Sequence, residues 1–355
     1  MMERIAKTLS ALDNTFGVSG EEEAVAAQIK KELDGFYDSC KEDALGNIIL
    51  TQNARGGNKR IALAAHMDEI GFIVRYIDDN GQLLIAPVGY HDDRMLINQD
   101  VEIKTKDGMI EGVTGYKPAH MLKGDEGEKV IPFDSIYVDV GTLSRAETEK
   151  LGVRIGDYGH YQRTGKFINN GKIYSGKSVD NRAGCTVICE VMRRAKEAGI
   201  KNELTLIGTV QEEVGARGAG VAGFEVKPDI AIVVDVTIAG GAAGLDLREC
   251  CIELGKGPAI KYYDWDMGST MGSNVSKKMT RAFEAVAEKH NIPFQREVLI
   301  NGGTDGWTLA TSASGVLTGI ISVPQRYMHT AVGTVYIDDL EGAVDLILKY
   351  IQSID

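Results

Sequence analysis

The stretch RIALAAH at residues 60–66 is a continuous apolar run that ends in a polar residue. Such a run is typical of a strand buried on both faces, as in a sheet that helices cover on each side. Two later stretches have the same character, ELTLIGTVQ at 203–211 and DIAIVVDV at 229–236. The three runs predict the central strands of one sheet.

Helical patterns alternate with these strands, with apolar residues at the spacing of one helix face. Ser19 is a candidate cap for the second helix, and Gly199 is expected to end the third. Strands that alternate with helices predict an α/β fold, in which a mainly parallel or mixed sheet carries helices on both faces. The helical patterns span residues 2–13, 20–34, 181–199, 271–290 and 338–353.

Between residues 70 and 166 the sequence consists of short apolar or alternating runs, separated by Gly, Asp and Asn turns. This spacing is typical of a small β-barrel or sandwich. Within this segment only SRAETEKLG at 144–152 predicts a helix. We therefore expect a discontinuous α/β domain at 1–69 and 167–355, interrupted by an inserted β-rich domain at 70–166.

Charge and cysteine content restrict the partners and the compartment. The formal net charge of −12 argues against nucleic acid or an anionic membrane as partner, because both require clustered Lys and Arg. No apolar run approaches the roughly 20 residues of a membrane span, and the N-terminus has no apolar signal core. The five cysteines form no CxxC pair, so we expect reduced thiols and a cytoplasmic protein.

Side chains that can bind metals recur where the predicted strands end. In an open α/β sheet, ligands bind outside the carboxyl ends of the strands. Each side chain alone also has an ordinary structural role, such as a helix N-cap, a turn residue or a hydrogen-bonded buried histidine. Their joint placement favours a shared site. The residues are His66 and Asp68 after the first strand, Glu212 and Glu213 after the second, Asp235 in the third, His329 after a fourth at 315–323, and Asp180 at a helix start.

The residue types fit a pair of metals. Histidines and carboxylates without thiolates suit zinc, cobalt or manganese at a catalytic site. Two divalent cations need a bridging carboxylate and further nitrogen or oxygen ligands for each. Glu212 and Glu213 are consecutive, and Val214-Gly215 lets the chain turn after them. One glutamate can then bind metal while the other takes a proton from water.

The same segments closely resemble the co-catalytic metalloaminopeptidases of the TET type and the glutamyl aminopeptidases. They follow the family's order from one end of the chain to the other. The matching stretches are FGVSGEE (16–22), DALGNIIL (43–50), LAAHMDEIGFIV (63–74), SVDNRAG (178–184), QEEVGARGA (211–219), VVDVT (233–237), NGGTDG (301–306) and PQRYMHT (324–330).

The resemblance implies an aminopeptidase that releases N-terminal residues from short peptides and uses two divalent metal ions per subunit. Zinc is the first choice, with cobalt and manganese as alternatives. In the roles that it implies, one metal is held by His66 and Asp235, the other by Glu213 and His329, and Asp180 bridges them.

Two further roles follow from the resemblance. Glu212 would be the general base towards a metal-bound water, and would then return the proton to the leaving amine. Asp68 would orient or tune the site from behind.

The resemblance also implies an assembly, in which the β-rich insert would form dimers, and these would assemble further into a hollow shell such as a tetrahedral dodecamer. His120, in KPAHM, is the candidate for a residue that reaches a neighbouring subunit's active site.

The sequence departs from the family around the site rather than at its ligands. After VVDVT the chain reads IAGGAAG where the family has an Asp-x-Pro element. After the last ligand, His329, a proline and an acidic residue are common in the family, whereas this chain reads HTAVGTV from His329 onward. Trp307 follows the NGGTDG motif where a small residue is usual. Asp305 and Trp307 are therefore candidates for substrate or inter-subunit contacts, and these loops leave the substrate preference open.

Three other functions compete with the aminopeptidase. A metal-dependent deacylase or carboxypeptidase-like enzyme would use the same sheet and metals. A glycosidase would use paired carboxylates as acid and base, but would leave His66 and His329 without a role. A non-catalytic member of the family would keep the assembly without turnover, although the complete set of ligands argues against it.

Overall fold

The computed structural model describes residues 2–242, 244–268 and 271–355. They form an α/β fold with one large mixed sheet, helices on it, and a closed β-barrel. The predicted fold class is confirmed. In chain order the strands are β1 (Ser39–Glu42), β2 (Ile48–Gln52), β3 (Arg60–His66), β4 (Gly71–Ile77), β5 (Leu83–Val88), β6 (Asp100–Thr105), β7 (Gly108–Gly115), β8 (Tyr137–Asp139), β9 (Tyr158–Tyr161), β10 (Lys166–Ile168), β11 (Ile173–Gly176), β12 (Glu203–Thr209), β13 (Ile230–Ile238), β14 (Ala259–Asp266), β15 (Met271–Asn274), β16 (Gln295–Ile300), β17 (Leu317–Arg326) and β18 (Gly333–Tyr336).

The large sheet has a parallel centre and antiparallel flanks. Its main path runs β1-β2-β12-β3-β13-β17-β18-β11-β10, and β14 leaves this path at β17 to pair also with β15 and β16. The neighbours β12, β3, β13 and β17 are parallel to one another. These are the strands that the continuous apolar runs predict, because a strand covered on both faces needs apolar residues throughout.

Helices cover both faces of the sheet. The side chains of β3 alternate between the two faces: Ile61 and Leu63 join the main core, whereas Ala62 and Ala64 join a smaller core under α5 and α7. No helix in the described ranges is long and apolar enough to cross a membrane. The helices are α1 (Met2–Asp13), α2 (Glu23–Glu32), α3 (Arg145–Leu151), α4 (Val179–Ala198), α5 (Arg217–Val226), α6 (Lys277–His290), α7 (Gly306–Ala310) and α8 (Ile337–Ser353).

The barrel is closed and antiparallel, in the order β4-β5-β8-β7-β6-β9. It has its own apolar core, which includes Phe72, Val74, Val101 and Ile103 at alternating positions. Helix α3 is the helix predicted within this segment, and Ser144 caps it by accepting from the backbone N–H of Glu147. The boundaries of the inserted domain at 70 and 166 stay a prediction.

Two local predictions are wrong. Residues 271–274 form strand β15 instead of the start of a helix, because they pair with β14, and α6 begins only at Lys277. Ser19 does not cap α2, whose N-cap position is Glu22. The Ser19 hydroxyl donates instead to the carboxylate of Asp68, 49 residues further along the chain.

Candidate metal centre

The carboxyl ends of the parallel strands bring the predicted ligands to one edge of the sheet. His66 is the last residue of β3 and lies opposite Thr209, the last residue of β12. In the neighbouring pair of parallel strands, Asp235 of β13 lies opposite Ser322 of β17. Parallel strands share the direction of their carboxyl ends, so residues far apart in sequence meet there.

Asp180 lies between the two histidines. It belongs to the first turn of α4, where its φ of −80° and ψ of 110° depart from helical values. One carboxylate oxygen lies 3.1 Å from Nε2 of His66, and the other lies 3.5 Å from Nε2 of His329. Burial by itself would raise the pKa of Asp180, but the two histidines hold it far below its ordinary value. One carboxylate therefore faces two imidazoles, as a bridging ligand must.

The remaining two predicted ligands complete each half of the cluster. Asp235 Oδ1 lies 3.6 Å from His66 Nε2, and Glu213 Oε2 lies 3.4 Å from His329 Nε2. Ligand atoms of His66, Asp180 and Glu213 all lie within 4.8 Å of one another. Imidazole nitrogens and carboxylate oxygens that converge in this way fit zinc, cobalt or manganese.

The turn after β12 brings Glu213 into the cluster and Glu212 beside it. Gln211 adopts a positive φ of 58°, which breaks the strand. The backbone N–H groups of Glu212 and Glu213 then donate to the two carboxylate oxygens of Asp68, at 3.0 and 3.1 Å. Asp68 thus holds the backbone on which Glu212 and Glu213 are mounted.

Glu212 lies beside the cluster without joining it closely. Its Oε2 is 4.0 Å from His66 Nε2. Burial raises the pKa of Glu212 well above its ordinary value, and the neighbouring carboxylates Asp235, Asp305 and Glu213 add to the rise. A carboxylate with a raised pKa retains a proton more readily, which suits a group that must accept one from water.

Asp68 also orients His66, on the side of the ring away from the cluster. Its Nδ1 lies 3.2 Å from the backbone carbonyl oxygen of Asp68 and 3.4 Å from the carboxylate Oδ1. Partners on Nδ1 leave Nε2 as the nitrogen that faces Asp180 and Asp235. Such a contact is the usual support of a metal-binding histidine.

The three residues suggested for substrate or subunit contacts lie in different places. Asp305 is buried, and its Oδ2 accepts from the Thr209 hydroxyl, while its Oδ1 has no hydrogen-bond partner among the described residues. Burial raises its pKa to about 7. Trp307 follows in α7, half-buried. His120 is exposed in a 3-10 turn, and no contact within the described ranges joins it to the cluster.

Sequence reasoning assigned no site role to Ser19 and Glu22, although both lie in the quoted FGVSGEE stretch. Ser19 bonds to Asp68, and Glu22 accepts from the backbone N–H of Gln211 at 3.1 Å. Burial, followed by the charge of Asp68, raises the pKa of Glu22 to about 7. Their signal was their place in a matching motif. Neither a hydroxyl that donates to a carboxylate 49 residues away nor a carboxylate that accepts from a distant backbone N–H has a recognisable spacing in the sequence.

A second buried network begins one residue after Asp68. Glu69 accepts from Lys177 Nζ at 2.6 and 2.7 Å, and Arg182 Nη2 and the N–H of Gly17 lie 3.4 and 3.2 Å from its Oε1. His160 Nδ1, from barrel strand β9, lies 3.3 Å from the same carboxylate. Burial alone would raise the pKa of Glu69, but Lys177 and His160 hold it well below 4.5. Glu69 thus joins the barrel to the sheet.

Comparison with known proteins agrees with this geometry. A family model described as M42 glutamyl aminopeptidase matches residues 46–346. The lysyl aminopeptidase of Pyrococcus furiosus is 34% identical over 93% of this chain and 92% of its own. A TET aminopeptidase structure from a marine sediment archaeon, Thaumarchaeota archaeon SCGC AB-539-E09, superposes with a TM-score of 0.92 at 31% identity over 99% of both chains. The TET1 peptidase of Pyrococcus horikoshii, described as assembling into a tetrahedron or a large octahedral shell, superposes with a TM-score of 0.84 at 32% identity, over 97% of this chain and 98% of its own.

Proposed function

Because the chain belongs to the M42 glutamyl aminopeptidase family, we propose that the cluster of histidines and carboxylates holds two divalent cations and cleaves N-terminal residues from short peptides. The chain is a peptide-hydrolysing aminopeptidase, and metal use is general in its family. The number of ions and the residue roles are what we propose. The observation that carries the proposal is the position of Asp180, with one oxygen towards each histidine.

The distances divide the ligands into two sets that share Asp180. His66 and Asp235 would hold one ion, and Glu213 and His329 the other. Zinc suits this donor set best, with cobalt and manganese as alternatives. When bound, the cations supply Lewis acidity that polarises the scissile carbonyl and acidifies water.

Glu212 would move the proton. Its carboxylate stands next to the cluster but is separated by 4.0 Å from His66 Nε2, so it is free to accept a proton from the attacking water. The same carboxyl would then donate this proton to the amine that leaves. Asp68 would keep both glutamates directed towards the cations, because its carboxylate accepts hydrogen bonds from their two backbone N–H groups.

The assembly and the compartment extend the proposal. We propose that residues 70–166 form an inserted domain that pairs two chains, and that such dimers build a tetrahedral dodecamer; the shell-forming relative supports this. Light scattering should give six times the mass of a dimer. The five free cysteines support a cytoplasmic location.

Removal and return of metal test the proposal. Dialysis against a chelator should abolish hydrolysis of an aminoacyl reporter substrate, and zinc, cobalt or manganese should restore it. Full activity in protein shown by elemental analysis to be metal-free would overturn the proposal. An enzyme that instead cleaves only acylated amino acids would be a deacylase on the same scaffold.

Glu212→Gln tests the proton transfer separately. The variant should bind as much metal as the wild type but lose a factor of about 100 to 10,000 in turnover, the usual contribution of a general base. Glu225→Gln is the control, because this partly exposed carboxylate pairs with Lys41 on the surface. Unchanged turnover in Glu212→Gln would remove Glu212 as the base.

A further inference from the structure

A short segment of the barrel lies directly against the metal centre. Gly89 follows β5 and has a φ of +81°, a conformation that other residues rarely adopt. A Cβ atom at this position would lie 2.6 Å from Ile70 Cγ2 and 3.5 Å from the Cβ of Glu213. The backbone of the segment therefore lies close to a proposed metal ligand, and a side chain at position 89 would overlap Ile70.

Tyr90 turns its backbone towards the metal centre and its ring towards solvent. The His329 imidazole also lies against the backbone of Tyr90. The Tyr90 ring is tilted by 50° to the His329 imidazole, with 6.3 Å between the centroids. The side chain is 78% exposed, and its phenol forms no hydrogen bond with any other described residue. The fold uses the backbone of this residue but not its ring.

The segment that carries the ring is well anchored. The neighbouring His91 packs against Phe133 and Tyr161, with ring centroids 5.2 and 6.3 Å away, and its Nε2 contacts the Val88 carbonyl oxygen at 3.1 Å. Asp92 then caps a 3-10 turn by accepting from the N–H of Arg94 at 3.0 Å. The exposed ring is thus displayed on a supported turn, which is how binding residues are commonly presented.

We propose that the ring of Tyr90 is a wall of the substrate pocket and contacts the side chain of the peptide's first residue. This inference rests on the proposed function, because it takes the centre beside His329 as the place of hydrolysis. An aromatic face packs against apolar side chains and attracts cationic ones, whereas it offers little to a carboxylate. The pocket should therefore favour large apolar and basic first residues over alanine and glutamate at this contact.

The size of the effect follows from the nature of the contact. Loss of one aromatic packing interaction corresponds to a weakening of about 2- to 13-fold. Since the contact exists with the bound substrate before and during the reaction, its loss should raise KM and leave kcat nearly unchanged. Truncation of the side chain retains the backbone of Tyr90, so its contact with His329 should survive.

The test compares Tyr90→Ala and Tyr90→Phe in the full-length, zinc-loaded enzyme. Leucyl, lysyl, alanyl and glutamyl p-nitroanilides serve as substrates, and free leucine serves as a competitive product. Tyr76→Ala is the matched control, because Tyr76 is a partly exposed tyrosine of the same barrel whose hydroxyl accepts from Arg145. Zinc content and assembly mass are measured for every variant.

We expect Tyr90→Ala to raise KM for the leucyl and lysyl substrates and the inhibition constant of leucine by similar factors. The alanyl and glutamyl substrates, Tyr90→Phe and Tyr76→Ala should change by less than about twofold. Unchanged KM values in Tyr90→Ala would overturn the inference, as would an equal loss for all four substrates or a loss of zinc or assembly mass. The proposed function fails on a different result, namely a wild-type enzyme that is active without metal.

Discussion

Glu69→Gln is expected to destabilise the protein strongly, because it removes the counter-charge of a buried lysine. Lys177 is buried, and apart from two contacts of 3.4 Å to Thr15 and Ser178, its ammonium group is held by Glu69. Removal of one partner of a buried ion pair costs about 3–5 kcal/mol. At roughly 2.1 cal/mol/K per residue, the unfolding entropy of 355 residues is about 0.75 kcal/mol/K, so the melting temperature should fall by about 4–7 °C.

Calorimetric and urea unfolding at one protein concentration would measure this loss. Glu21→Gln is the control, since Glu21 pairs with Lys104 in a partly exposed position and such pairs contribute about 0–1 kcal/mol. Adding Lys177→Met to Glu69→Gln should recover part of the stability, because no buried ammonium is then left unpaired. A fall of less than 1 °C in Glu69→Gln would refute the argument.

The same variant has a defined dependence on pH. The pKa of Glu69 in the folded state is lowered, so its ionisation stabilises the fold above the ordinary value of 4.5 and this stability is lost as pH falls. The difference in melting temperature between wild type and Glu69→Gln should therefore shrink below pH 4.5. A difference that stays constant between pH 7 and pH 3 would contradict the assignment.

Three further predictions concern the metal centre. Asp68→Asn should lower zinc affinity by about 10- to 100-fold, as measured in competition with a chelator. The amide nitrogen of the new asparagine cannot accept the hydrogen bond that the backbone N–H of Glu213 donates to the Asp68 carboxylate. Zinc binding at pH 7 should release protons, seen by calorimetry in buffers of different ionisation enthalpy, and affinity should rise with pH. Burial raises the pKa of Glu213 to about 8. Burial by itself would lower the pKa of His329, but the charges of Glu213 and Asp180 raise it to about 9. Both groups therefore carry protons at pH 7 that the metal must displace. Gly89→Ala should reduce both zinc content and thermal stability, because the added Cβ overlaps Ile70; unchanged zinc content would show that the segment does not support the centre.

The parts of the fold predicted from sequence are those in which one local rule suffices. The strand ending at His66 was recognisable because burial on both faces leaves an unbroken apolar run. Strands β14 and β16 were missed because charged residues interrupt them: Lys261, Asp264 and Glu297 are all buried there. Lys261 Nζ lies 3.5 Å from Asp264 and 3.7 Å from Glu297. Only the tertiary structure reveals that these charges compensate one another inside the sheet.

The candidate site shows the same division between ligands and supports. The convergence of His66, Glu213 and Asp235 could be predicted because the carboxyl ends of parallel strands meet at one edge of a sheet, whereas their role as metal ligands stays a prediction. Tyr90 could not, because it comes from the barrel, and the contact of its backbone with His329 depends on how the barrel docks on the sheet.

Asp68 and Glu69 explain how that docking is kept in register with the metal centre. The first accepts from the backbone of Glu212 and Glu213, and the second from Lys177, while His160 of the barrel contacts it. Asp68 and Glu69 are consecutive, so a shift of the barrel relative to the sheet would move the peptide bond that joins them. That movement would reach the turn that carries Glu212 and Glu213. The two buried networks are therefore joined through a single peptide bond, and we expect the placement of the barrel to influence the positions of Glu212 and Glu213.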